Sequence, residues 1–497
     1  MKIIFNKLQT SKETIQVSLD GGATWNSYVV SEIIETGIPL DDIQDYEKIQ
    51  IKGSASVLKN LDVVKSIEIP ESNNTKDEMF THDGTSFYDN LVNVKIPEGF
   101  TTIGPYAFYG CKNLTSIDLP ESLTSTGESA FYRCTSLTSI ELPEGLTSIG
   151  NGAFSSCTSL TSITLPENLT SIGNEAFYGC TNLKSITLPK GLTSIGKYAF
   201  KKCTGLTSIT LLEGLTSIGV NVFSECTNLT SITLPESLTS TGEYTFSGCT
   251  GLTSITLLEG LTSIGDYTFS GCTGLTSIDL PEGLTSIGNR AFYGCTSLKS
   301  ITLPKSLTSI GEYIFGECTG LTSITLPEGL TSTGRYTFSS CKGLTSITLP
   351  EGLTSIGYGV FSECTNLTSI TLPESLTSIS NYTFYRCTSL ASITLPESLT
   401  SIGSNAFQKC TSLTSIELPE GLTSIGDIVF NGCTSLTSIT LPESLTEIGS
   451  SAFYGCTSLK TINFKGTDEQ WNAISKGLKW NYQVPSDMVI NFDYQGE

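Results

Sequence analysis

The chain has 497 residues, of which 38% are hydrophobic and only 15% charged, and its 27 basic against 48 acidic side chains leave a net charge of −21. That balance argues against nucleic acid and anionic membrane as partners, because both reward clustered Lys and Arg. A length well above the ~250–300 residues at which single cores stop growing requires either several domains or internal repetition.

Residues 1–60 contain strand-like runs, KIIF, TIQVSL, SYVV and EKIQIKG, separated by Gly and Asp turns, so a small β-rich module is expected there. Its first twenty residues lack the apolar run of about 7–15 residues that a secretory signal carries, and no export address is expected. No stretch approaches the ~20 apolar residues of a membrane span, so insertion is not expected either. Within the module, Ser18-Leu-Asp20-Gly-Gly22-Ala-Thr24-Trp25 resembles the Asp-box of sialidase propellers, where it ties a hairpin turn. One copy makes no propeller, and the first arginine is Arg133, so only a hairpin turn is carried over. Residues 61–90 read as a degenerate first repeat: the strand Val64-Lys-Ser-Ile67-Glu-Ile69-Pro70, then a polar insert over 72–86 holding the chain's single histidine, His82.

From residue 91 to 464 one pattern takes over. All 16 cysteines, Cys111 to Cys456, recur every 23 residues without insertion or deletion, and a Phe precedes each by three. The unit that begins at Cys157 places apolar residues at Leu160, Ile163, Leu165, Leu169, Ile172, Ala176 and Phe177. Ile163 and Leu165 alternate with Ser162 and Thr164, which is strand periodicity, and Pro166 stops it. Leu169 to Ile172 is a second short extended piece ending at Gly173, and the NEAFYGC segment reads as a short helical turn. Counted from Leu91 to Leu459, the step of 23 predicts 17 regular parallel strands. One unit cannot bury its own apolar face, so stability must come from stacking.

The unit LxxIxLPxxLxxIGxxAFxxC resembles the Treponema-type leucine-rich repeat of BspA-like surface proteins. Departures are few: Leu212 and Leu258 replace Pro, and Thr126, Thr241 and Thr333 replace Ile. The resemblance implies a repeat solenoid, a curved right-handed superhelix with a parallel β-sheet and short helical turns. It also implies a non-enzymatic scaffold that binds protein or glycan on a host or neighbouring cell. The alternative reading is a structural or receptor-binding part of a larger particle, such as a phage virion, docked or homo-oligomerised through residues 1–60. Either reading expects a cell-surface, extracellular or virion location. The segment INFKGTDEQWNAISKGLKWNYQ, within the closing residues 465–497, is similar to the end of such arrays, and Thr467 with Gln470 predicts a capped helix.

Catalysis is not expected, since acid–base and nucleophilic mechanisms most often recruit His and this chain has one, far from any cysteine. No cofactor or metal is expected: cysteines 23 apart lack the short spacing of a zinc site. The Cys column reads as small buried hydrophobes, with oxidation of stacked neighbours as the other option. The Glu column after Pro, for example Glu121, Glu144 and Glu167, must face water because like charges repel. Two features are candidate binding surfaces. The strand face offers hydroxyls, Ser162, Thr164, Ser185 and Thr187 among them, as plain surface, as a reader of a repetitive polymer or as an orderer of water. Beside the AF pair, where units differ, stand Tyr198, Tyr244, Tyr267, Arg290, Tyr313, Tyr336 and Tyr382, as a contact strip or as half-buried flanks of Phe.

Overall fold

The computed structural model describes residues 92–96 and 99–495 and, ahead of them, six strands by backbone course. The turn after Ser18, the insert over 72–86 and His82 lie outside the described residues. The chain divides into two compact units, Met1–Leu238 and Thr239–Glu497.

In the first unit all four early strand runs form strands, Lys2–Phe5, Thr14–Ser18, Asn26–Val29 and Gln50–Lys52. Thr14–Ser18 pairs antiparallel with Asn26–Val29 and with Gln50–Lys52. Lys2–Phe5 pairs antiparallel with Val64–Glu68, which pairs in parallel with Asn93–Lys95 at an offset of 27, Ile67 opposite Val94. The first strand of the N-terminal segment therefore adds itself to the repeat sheet.

Beyond it the period is uniform. Ser139–Glu141, Ser162–Thr164, Ser185–Thr187, Ser208–Thr210 and Ser231–Thr233 form one parallel sheet, and Ser139 faces Ser162 as Ile140 faces Ile163. A second sheet joins the short strands Thr102–Ile103, Ser125–Thr126, Ser148–Ile149, Ser171–Ile172 and Ser194–Ile195. Each three-residue strand is exposed, buried, exposed along its length, which is the alternation expected of a strand with one face in the core. Between the strands a Pro carbonyl accepts the N–H three residues on, as Pro143 does from Leu146 at 3.0 Å.

The third side of each rung differs from the expected helical turn. Two residues four apart have left-handed backbones, Tyr106 (φ 58) with Gly110 (φ 73), and Ser129 (φ 52) with Arg133 (φ 58). A left-handed residue cannot continue an α-helix, so the segment alternates two bond types. Tyr109 N and Cys111 N bond back to Tyr106 O and Phe108 O, while Tyr106 N, Phe108 N and Gly110 N bond at 2.7 Å to Glu128 O, Ala130 O and Tyr132 O of the next rung. Rungs of the first unit such as these are thus tied to their neighbours on three sides, which leaves few orphan backbone groups.

The core repeats with the backbone. In the first unit Leu160, Ile163, Leu165, Leu169, Ile172, Ala176, Phe177 and Cys180 are all buried, at 0–7% exposure. Phe rings stack between successive rungs, 5.1 Å and 5° apart for Phe131 and Phe154. Burial of each Leu, Ile or Phe contributes about 1.5–3 kcal/mol, so the array is stabilised mainly by this face. Gly150 shows why the short strand ends in Gly: a Cβ there would lie 2.5 Å from the carbonyl oxygens of Thr126 and Gly127.

The second unit repeats the rung with the same columns. From Thr256 to Thr394 its long strands meet through single parallel bridges, Thr302 to Thr325 and Thr325 to Thr348 for example, and full ladders resume at Ser415–Glu417 and Ser438–Leu441. The close is a helix α1, Asp468–Ala473, whose Thr467 and Gln470 form the expected capping box. Trp471 is buried against Phe464 and Trp480, so the aromatic cap is what the fold uses. Ser475–Lys476 and Val489–Asn491 then continue both strand columns by one further rung.

Candidate binding strip on the turn side

The left-handed position nearest the AF pair is the variable one. Leu, Ile, Phe and Cys hold their columns because each fills the interior, whereas this position carries Tyr, Ser, Gly, Glu, Asn, Arg or Ile. Left-handed backbone favours Gly and Asn, and a bulky residue there costs about 1–2 kcal/mol. Yet in the second unit Tyr244, Tyr267, Arg290, Tyr313, Tyr336 and Tyr382 all occupy it, with φ between 53 and 59. Local backbone preference does not select them.

Their side chains meet. Tyr244 and Tyr267 stack with centroids 4.4 Å apart and planes 11° apart, and Tyr313 and Tyr336 stack at 4.6 Å. Arg290 lies between the two pairs, its guanidinium carbon 5.4 Å from the Tyr267 ring centre and 4.5 Å from that of Tyr313, with Nη1 donating to the Tyr267 hydroxyl. Tyr358 extends the series at 5.1 Å from Tyr336 and 5.2 Å from Tyr382, which meets Tyr385 edge-on. Arg335 covers the Tyr358 ring at 5.3 Å. Burial and the neighbouring phenol push Tyr336 up to about 12, and burial with a hydrogen bond to Glu317 does the same for Tyr293. These two phenols therefore remain protonated donors at neutral pH. All eight tyrosines from Tyr244 to Tyr385 are half-buried.

The strip is shorter than the sequence suggests in one direction and richer in the other. Tyr198 belongs to the first unit, where the same column carries Glu175 and Asn221 on either side, and its ring contact is Lys201 at 5.6 Å. Tyr358, Tyr385, Tyr293 and Arg335 lie off the variable column and were missed. The signal for Tyr358 is Gly359, which takes the left-handed position itself and leaves Tyr one place earlier. The four arginines offer a second signal: Arg133, Arg290, Arg335 and Arg386 each lie over a tyrosine ring, at 4.5–5.4 Å.

The strand-face candidates are arranged differently. Ser162, Thr164, Ser185 and Thr187 are exposed and in register, Thr164 opposite Thr187. The threonines beside them are already committed, Thr161 Oγ1 donating to Thr138 O and Thr170 Oγ1 to Thr147 O, both at 3.1 Å. These threonine hydroxyls therefore tie successive rungs together. The Glu column is exposed throughout.

The cysteines are buried free thiols. Each described pair within a unit uses the thiol as a donor, Cys272 Sγ to Phe246 O at 3.1 Å and Cys157 Sγ to Phe131 O at 3.1 Å. Burial pushes Cys318, Cys364 and Cys410 up to about 12. The three Thr-for-Ile departures are also satisfied: Thr126 Oγ1 accepts from Gly150 N, Thr241 from Gly265 N and Thr333 from Gly357 N, at 3.0–3.1 Å.

Parallel rungs of this length, with apolar columns inside and a variable column outside, define a leucine-rich-repeat binding scaffold. The chain belongs to the BspA type leucine rich repeat region family, whose six-copy pattern matches residues 81–203, 170–292, 262–389 and 354–475. It is similar to a leucine-rich repeat protein of Bacteroides ovatus, with 30% identity over 86% of this chain and 97% of that one, at a TM-score of 0.60. A leucine rich cell surface protein of Faecalibacterium prausnitzii shares 26% identity over 77% of this chain and 90% of that one, at a TM-score of 0.38. No curated protein matches the chain. Among the described residues no helix is long and apolar enough to cross a membrane.

Proposed function

We propose that this protein is an adhesin-like binding scaffold that contacts a partner protein through the Tyr and Arg strip of its second unit. The observation that carries the reading is the presence of five tyrosines and an arginine, from Tyr244 to Tyr382, at backbone positions that disfavour them. Side chains kept against local preference are kept for what they touch. Tyr and Arg are the residues enriched at interface hot spots, since both bring large contact area and hydrogen bonds with few rotors to freeze. Stacking already restrains the rings, which lowers the entropy lost on binding. The name of the F. prausnitzii relative, a cell surface protein, agrees with such a role.

An array of immobilised host proteins and glycans, probed with the intact chain, tests the reading. Protein spots should bind, and the double variant Tyr267→Asn with Tyr313→Asn should lose at least about tenfold in affinity while it melts as the parent does. Binding that persists in this variant and disappears with Ser162→Asp and Ser185→Asp would move the surface to the strand face.

A further inference from the structure

The strip holds two kinds of arginine. Arg386 is served, with Nη1 3.3 Å from the Glu363 carboxylate. Arg290 and Arg335 make no ion pair among the described residues. Arg290 is the more confined of the two: it is half-buried, held between the Tyr267 and Tyr313 rings, and its Nη1 donates a hydrogen bond to the Tyr267 hydroxyl. A guanidinium carries five N–H donors in a rigid planar fork, so most of its donors have no acceptor among the described residues. The Tyr267 and Tyr313 rings flank the guanidinium, so an acceptor reaches it through the donors that the Tyr267 hydroxyl does not take. A fixed, partly desolvated guanidinium of this kind fits the two oxygens of a carboxylate, and its rotamer is chosen before binding.

We infer that Arg290, clamped by Tyr267 and Tyr313, is the receptor for a carboxylate, an Asp or Glu side chain of an extended partner segment that lies along the tyrosine strip. The inference rests on the strip being the contact surface and adds the chemistry of its central position. Arg335 stands two rungs further on, about 10 Å at a rung spacing of about 4.8 Å, and offers a second carboxylate site to the same segment. The Tyr244, Tyr336 and Tyr382 rings between and beyond these points take apolar side chains against their open edges. The net charge of −21 opposes an acidic partner at long range, so recognition depends on short-range bidentate contact and survives moderate salt better than a steered encounter does.

The test uses the intact chain and a displayed library of random twelve-residue peptides, followed by fluorescence anisotropy on the most enriched peptide and its Glu→Gln or Asp→Asn counterpart. Enriched peptides should contain Asp or Glu. Amidation of the key carboxylate should weaken binding about tenfold, and Arg290→Gln should do the same. Arg290→Lys should recover only part of the loss, since an ammonium keeps the charge and lacks the planar fork. No enrichment, or peptides indifferent to their carboxylates and to Arg290, would overturn the inference. Among indifferent peptides, those that still require Tyr313 would leave the strip reading intact, and those that require neither residue would overturn both.

Discussion

The two units build one rung and fill its left-handed position in opposite ways. In the first unit that column reads Tyr106, Ser129, Gly152, Glu175, Tyr198 and Asn221, a mixture in which no two adjacent rungs carry an aromatic. In the second it reads Tyr244, Tyr267, Arg290, Tyr313 and Tyr336 without interruption. The backbone φ at these sites is nearly the same, 52–63 in the first unit and 53–57 over that run, so the frame does not dictate the side chain. Strand pairing differs as well: ladders of three residues join Ser208–Thr210 to Ser231–Thr233, whereas Thr256 to Thr394 is linked by single bridges. The first unit is regular on its strand side and varied on its turn side, and the central rungs of the second reverse that. The Phe and Cys columns that fill the core keep one residue on all 16 rungs while the left-handed column varies, so the proposed contact surface can be changed without touching them.

That separation can be broken at its strongest point first. Phe154→Ala and Phe292→Ala remove stacked rings of 0% exposure from the two units and should cost about 3–5 kcal/mol each, read by denaturant unfolding. A large cost in one unit only would mean that the frames differ after all. Next, alkaline pH should destabilise both units. Burial holds thiols such as Cys318 and Cys364 protonated in the fold, with values raised to about 12, while an unfolded thiol ionises near 8.5. The folded state thus binds more protons between those values, so stability is complete below pH ~8.5 and falls as pH rises toward 12. Melting curves from pH 7 to 11 should show the fall, and the native thiols should resist alkylation by iodoacetamide at pH 8; rapid labelling would contradict their burial. A smaller effect distinguishes packing from hydrogen bonding. Cys272→Ser keeps a donor for Phe246 O, and Cys272→Ala does not, so the serine variant should be the more stable by about 0.5–1 kcal/mol if the thiol bond contributes. The least change is expected from Glu175→Asn, which places a residue suited to left-handed backbone in the first unit and should leave binding untouched.

Most of the fold was legible because it is a matter of period. The 23-residue step, the Ile163 and Leu165 alternation and the Pro166 stop place the strands and core, and Thr467 with Gln470 places the cap. The turn was not legible in the same way. Its left-handed pairs are marked by Gly at 110 and 179 but by Arg133, Lys202 and Glu317 on other rungs, so the column has no consistent residue, and adjacent Ala and Phe look helical. The site was legible as a column and not as a cluster. Variation drew attention to Tyr267 and Tyr313, whereas Arg335, Tyr358 and Tyr385 enter through spatial contact from neighbouring columns, which no single period describes.

The central claim is that recognition resides in the tyrosine strip and stability in the invariant columns. Affinity for an array-identified protein partner and melting temperature, measured together for Tyr267→Asn with Tyr313→Asn, test it most directly. Stacking in the parent and relief of left-handed strain in the variant nearly offset, so the account predicts a stability within about 1 kcal/mol of the parent and an affinity reduced about tenfold or more. A variant that binds as the parent does, or one that loses binding only because it unfolds, would contradict it.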